Sequence, residues 1–166
     1  MVRRLRVRPR SHAAGVWILT TALFALSVLL WFAVRGEEPP FVGGPSPPLW
    51  MLAVSFGVAE VFVMHIRIKR HAQTFSLAEI PLVFGLAFAT PGALVLAQTV
   101  GVAIALAVHR RQKPLRLTFN VAQRACTTLL AVVFVAVSLS ALPAGWPSIW
   151  VALFGATLLA DVVGGM

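Results

Sequence analysis

Charge is scarce in this chain: 11% of its 166 residues are charged, where an ordinary soluble domain carries about 25%. With 59% hydrophobic residues and a mean hydropathy of +0.89, far more apolar sequence is present than a water-soluble core of this size needs. Cysteine is nearly absent too. Cys126, the only one, lies in an apolar run, which excludes a disulfide framework and a thiol metal site and leaves it as a small packing residue. Asp161 is the only aspartate, so an intramembrane protease built on paired aspartates is excluded. No Gly-rich phosphate loop, H-E-x-x-H, cysteine pair or G-x-S-x-G occurs. The expected class is therefore a non-enzyme with no catalytic residue, no cofactor and no metal.

What the chain does have is apolar runs separated by basic clusters. Its formal charge of +9 could suit nucleic acid, but the basic residues sit at Arg3 to Arg10, Arg67 to Arg70 and Arg110 to Arg116. That spacing is the pattern of cytoplasmic loops, and it points to the bilayer and its anionic lipids as partners. Ala14 to Val34 covers about 31 Å as a helix, enough to cross the hydrocarbon core. It exceeds the roughly 7 to 15 residues of a secretory h-region and is read as an uncleaved anchor with its N-terminus inside.

The same reading continues along the chain. Beyond a basic N-terminal segment, 1–13, spans are expected at about 14–34, 49–66, 75–89, 92–108, 118–142 and 148–163. The expected fold is all-α: a polytopic transmembrane helical bundle of about six spans, both ends in the cytoplasm, in the cell (inner) membrane. Segments 75–89 and 92–108 are short and joined through Thr90 and Pro91, so they form either two full spans or a re-entrant hairpin. Trp17, Trp31, Trp50, Trp146 and Trp150 lie near span ends, where indole rings favour the interface. Ala93, Ala97, Gly101 and Ala105 recur every four residues and predict a face on which another helix packs closely.

Ionisable groups inside a span cost roughly 2.5 to 3.5 kcal/mol each on insertion scales, so Glu60, Glu79, Arg124 and Asp161 each need a reason. Glu60, Glu79 and Arg124 fall about 8 to 9 Å from the cytoplasmic end of their spans at the helical rise, and Asp161 lies close to the inner end of the sixth. A polar layer just below the inner surface is the resulting expectation. Asn120, Gln123, Arg124 and Thr127 share one face of the fifth helix and should point into the bundle. Two readings follow. Arg124 pairs with Glu79 or Asp161 to hold helices together, or the layer binds a small polar ligand or cation or senses protonation, with Pro81 breaking the helix beside it. His65 and His71 are expected to be interfacial polar groups.

The stretch HAQTFSLAEIPLVFGLAFATP from His71 and the stretch HRRQKPLRLTFNVAQ from His109 resemble the N-terminal membrane sensor module of actinobacterial GGDEF and EAL signalling proteins. Ser76, Glu79 and Pro81 entering one span, then Lys113-Pro114 and Phe119-Asn120 entering a later one, carry the resemblance, which covers about 73–123. It implies an input role for a cyclic di-GMP signalling protein whose cyclase or phosphodiesterase domains are fused to the chain or separate from it. Those domains are absent here, so the chain is expected to be a fragment or a paralogue without its output. The resemblance also singles out Glu79 and Asn120. A homodimer is compatible with it. The competing expectations are a small transporter or substrate-binding membrane subunit, motivated by Glu79 beside Pro81 in a short segment, and a purely structural membrane protein.

Overall fold

The computed structural model describes residues 10–39, 46–62, 64–68, 71–75, 77–143 and 145–165. The basic residues Arg3 to Arg8, Lys69 and Arg70, together with Ser76, lie outside the described residues, as do the side chains of Arg10, His65, Arg67 and His71. The chain is helical with one short hairpin: α1 (Arg10–Val34), α2 (Leu49–Val61), β1 (Met64–Ile68), β2 (His71–Phe75), α3 (Glu79–Phe88), α4 (Pro91–Ile104), a π-helical turn (Ala105–His109), α5 (Pro114–Ala141) and α6 (Trp146–Gly165).

Four stretches are long and apolar enough to cross a membrane: Ala14–Val34, Pro91–His109, Pro114–Ala141 and Trp146–Val163. By length and composition the chain is a membrane protein. Its outward surface agrees, since Ile18, Leu29, Ile80 and Leu158 are each about 70% exposed, an arrangement that lipid tolerates and water does not.

Two expected spans are shorter than the sequence suggests. The second was expected to run to Ile66, but α2 stops at Val61, where Phe62 leaves helical geometry (φ −89°, ψ 45°). Met64–Ile68 instead pairs antiparallel with His71–Phe75, with Met64 opposite Phe75 and Ile68 opposite His71. Isoleucines at alternate positions suit a strand as well as a helix, and the nearby partner strand decides between the two. The third helix begins at Glu79 rather than Phe75, which belongs to β2. At 13 and 10 residues, α2 and α3 are only about 20 and 15 Å long, short of the ~30 Å hydrocarbon core.

The expected small-residue face of α4 is where α2 packs. Ala97 and Gly101 are buried, Ala105 is 6% exposed, and a Cβ on Gly101 would run into the carbonyl oxygen of Ala53 and come within 3.0 Å of the Gly57 backbone nitrogen. Backbone therefore meets backbone there. Ala53 and Gly57 lie against Gly101, and Glu60 lies against Arg110, so the two helices run in the same direction. Between α3 and α4, Thr90 leaves the helix (φ −64°, ψ 150°), accepts a hydrogen bond from the Ala93 N–H, and is followed by Pro91 in the first turn. A proline costs nothing there because its missing N–H would be unpaired in any case.

The core joins α2, α3, α4, α5 and α6 around Leu52, Phe56, Leu94, Leu129 and Leu153, each no more than 2% exposed, with Leu82 and Leu86 contributed by α3. Ala152 and Ala156, both fully buried, let α6 approach α5 closely, and Phe134 lies over Gly155.

Candidate functional site: a buried carboxylate between two arginines

Glu60 lies in the last turn of α2 and is 5% exposed. A carboxylate so deeply buried needs cations or donors beside it, because desolvation disfavours its charge. Two arginines supply them. The Arg110 guanidinium donates from Nη2 to the Glu60 backbone carbonyl at 3.1 Å and places Nη1 3.4 Å from Glu60 Oε1. Arg124 Nη2, from α5, lies 3.6 Å from Oε2. Among the described residues Oε2 receives no hydrogen bond, so Arg124 serves it by charge alone.

Arg110 reaches this position because α4 ends in a wide turn. Its N–H bonds to the Ala105 carbonyl at 3.2 Å, the Gln112 N–H bonds to Leu106 O at 3.1 Å, and Arg111 takes a left-handed conformation (φ 45°) that reverses the chain. Widened turns of this kind redirect side chains at a helix end. The bond to Glu60 O also satisfies one of the carbonyls left orphaned at the C-terminus of α2. Gln112 is fixed in turn by Asn120, whose Nδ2 donates to Gln112 Oε1 at 2.8 Å.

On its other side Arg124 borders a polar cavity of about 30 Å³ lined by Glu79, Gln98, Thr127, Thr128 and Asp161, with Ala78, Leu82 and Ala160 closing it. That is room for one water molecule, and the lining carries enough polar groups to hold it. Glu79 enters as the first residue of α3, with Pro81 buried two residues on. Asp161 comes from the last turns of α6. Thr128, fully buried, has one hydroxyl proton to share between two acceptors within reach, Gln98 Oε1 and the Arg124 carbonyl, the latter at 3.0 Å. Thr127 bonds back to the Gln123 carbonyl at 2.9 Å.

The structure thus gathers Glu79, Arg124 and Asp161 around one cavity and joins Glu60 to them through Arg124. The expected pairing of Arg124 with Glu79 or Asp161 is corrected: its partner is Glu60. Glu79 and Asp161 are exposed at the cavity mouth, whereas Glu60 is shut inside the bundle, so the carboxylate that most needs a cation takes it. Asn120 and Gln123 share the predicted face of α5, but neither lines the cavity. Three contributors were not foreseen. Arg110 reads in the sequence as one more basic loop residue. Gln98 and Thr128 lie in apolar stretches, and a lone glutamine in the middle of a span was the one available signal. Among the described residues no three of His, Cys, Asp and Glu gather closely enough to hold a metal ion.

The Gln98 and Thr128 pair makes a testable asymmetry. Thr128→Val removes the partner of a glutamine that is 4% exposed and is expected to cost about 2 kcal/mol, the penalty for stranding a buried polar group. Gln98→Leu leaves Thr128 its bond to the Arg124 carbonyl and should cost under about 1 kcal/mol. Thermal unfolding of the purified variants in detergent checks the order. Searches against known protein families, curated proteins and solved structures find no match to the chain.

Proposed function

We propose that the chain is a multi-pass input module of the inner membrane, part of a cyclic di-GMP-type signalling protein, crossing about six times with both ends in the cytoplasm. In this reading α2 and α3 take part in the crossing together with the four longer helices. The parallel run of α2 and α4 supports that topology, because both helices then end on the side that carries Arg110, Arg111, Lys113 and Arg116. The anionic headgroups of the inner leaflet attract such residues.

One observation carries the sensory reading: Glu60, 5% exposed, is held by one arginine from the loop that follows α4 and another from inside α5. Any change in charge at the neighbouring cavity alters how strongly Arg124 is drawn to Glu60, and Arg110 ties that carboxylate to the inner loop. A proton, ion or small polar ligand at Glu79 and Asp161 is thereby coupled to the cytoplasmic face, where a fused or separate output domain would respond. The test is the cellular cyclic di-GMP level with the chain expressed in its natural reading frame and locus. Glu79→Gln and Asp161→Asn, at unchanged membrane abundance, are expected to shift it at least threefold. Unchanged levels in both variants overturn the reading.

A transporter is the second reading, favoured by Glu79 opening a helix of only 10 residues with Asp161 across the same cavity. Interrupted helices place their ends at substrate sites. Vesicle uptake that is abolished by Glu79→Gln, with cyclic di-GMP unaffected, would favour it.

A further inference from the structure

We propose that the cavity at the C-terminal ends of α3 and α5 binds a small aliphatic amine as its ammonium ion. The cavity has a volume of about 310 Å³ and is lined on one side by Glu37 and Glu38, from the segment that follows α1. It lies at the opposite end of the bundle from the ionic cluster. Glu79 opens α3, whereas Leu86 and Ala89 line the cavity where that helix closes; Arg124 lies in the first half of α5, whereas Leu139 and Ser140 belong to its last turn. The site therefore stands independently of the sensory reading.

The walls select an aliphatic body. Leu86, Leu94, Val132 and Val135 are each no more than 7% exposed, and no aromatic side chain lines the cavity. Along α5 it extends from Val132 to Ser140, about 12 Å at the helical rise. Its volume is at the small end of the roughly 300 to 1,000 Å³ of ligand pockets, which suits a single ring or a short branched alkyl group.

The polar groups select the charge, because those on the lining side chains are all acceptors. Glu37 and Glu38 form no ion pair among the described residues, where the only such pairs involve Glu60. The neighbouring Arg35 guanidinium lies over the Phe32 ring, 5.2 Å from its centroid. Ser140 gives its hydroxyl proton to the Val137 carbonyl at 2.8 Å, so it offers the cavity lone pairs only. The backbone points the same way. α3 and α5 bring their C-termini, the negative ends of their dipoles, to the cavity. The start of α4 does not cancel them, since Pro91 has no N–H and that of Ala93 is taken by the Thr90 hydroxyl. An apolar well with acceptors at one end fits an ammonium group on an aliphatic body and gives a neutral or anionic one no donor.

Calorimetric titration of the full chain in phosphatidylcholine nanodiscs, with cyclohexylamine and its neutral counterpart cyclohexanol as probes, tests the proposal. The amine is expected to bind at least about tenfold more tightly, the preference that one charge-assisted hydrogen bond supplies. The exposed double variant Glu37→Gln, Glu38→Gln should bring the amine down to the level of the alcohol while leaving the melting temperature of the free protein unchanged. Ala136→Phe, which fills the cavity, should abolish binding of both probes. Equal binding of the two probes by the wild type overturns the proposal, and so does a tenfold preference that survives the double variant. Loss of amine binding when phosphatidylethanolamine replaces phosphatidylcholine would assign the site to a lipid ammonium group and overturns it as well.

Discussion

Replacing Arg124 with methionine is expected to cost about 3 kcal/mol of stability, the loss seen when one partner of a buried ion pair is removed. The size of the effect comes from what is left behind. Glu60 is 5% exposed and its Oε2 accepts no hydrogen bond among the described residues, so without Arg124 that oxygen has neither a cation nor a donor, nor access to water. Arg110 does not make up the loss, since it is committed to Oε1 and to the backbone carbonyl. About one third of the Arg124 side chain is exposed, which places the expected cost at the low end of the range for such pairs. Adding Glu60→Gln to the Arg124 variant removes the stranded charge and should recover at least about half of the loss, the signature of coupling within one contact network. Thermal unfolding of the two single variants and the double variant in detergent measures this directly. An Arg124→Met loss below about 0.5 kcal/mol, the level of an exposed pair, would mean that Glu60 is not held as described.

Gly101→Val should be at least as damaging, by a mechanism that involves no charge. The added Cβ would strike the Ala53 carbonyl and press on the Gly57 backbone. Neither can swing aside as a flexible side chain would, so α2 must move away from α4. Overpacking typically costs about 1 to 3 kcal/mol, and here displacement of α2 also draws Glu60 from Arg110, so about 3 kcal/mol or more is expected. The same substitution at Gly15, where an added Cβ meets nothing within 4 Å, should change the melting temperature little. The loss in Gly101→Val should overlap with that in Arg124→Met, because both disturb the seat of Glu60; a double variant is therefore expected to lose less than the sum. Strict additivity would show that the α2–α4 contact and the ionic cluster are independent.

Most of the helical plan was legible from local sequence. The apolar runs Ala14–Val34, Pro91–His109, Pro114–Ala141 and Trp146–Val163 announce themselves by length and hydropathy, and the four-residue recurrence from Ala93 to Ala105 marked the face on which α2 packs. Thr90-Pro91 was readable as the joint between two apolar segments, and the structure makes it the capped start of α4. The end of α2 was not readable, because Met64 and Ile66 are apolar enough to prolong the run to the basic cluster at Arg67, and the segment becomes a strand only through pairing with His71–Phe75. Charged residues in apolar surroundings flagged Glu60, Glu79, Arg124 and Asp161, and three of the four line one cavity. Arg110 was hidden, since nothing in a cluster of loop arginines distinguishes the one that a widened helical turn aims inward.

By itself the sequence determined that this is a membrane protein, where its long helices run and which polar residues are costly, because the bilayer judges each segment by its own length and apolarity. The tertiary structure alone decided the partners. Arg110 meets Glu60 across 50 residues of chain, and Thr128 meets Gln98 across 30. Which carboxylate Arg124 serves, and which groups share a cavity, depend on which helices are neighbours and how each is rotated. Those quantities are set by packing of small residues such as Gly57 and Gly101 against distant backbone, and no local pattern of charge or hydropathy encodes them.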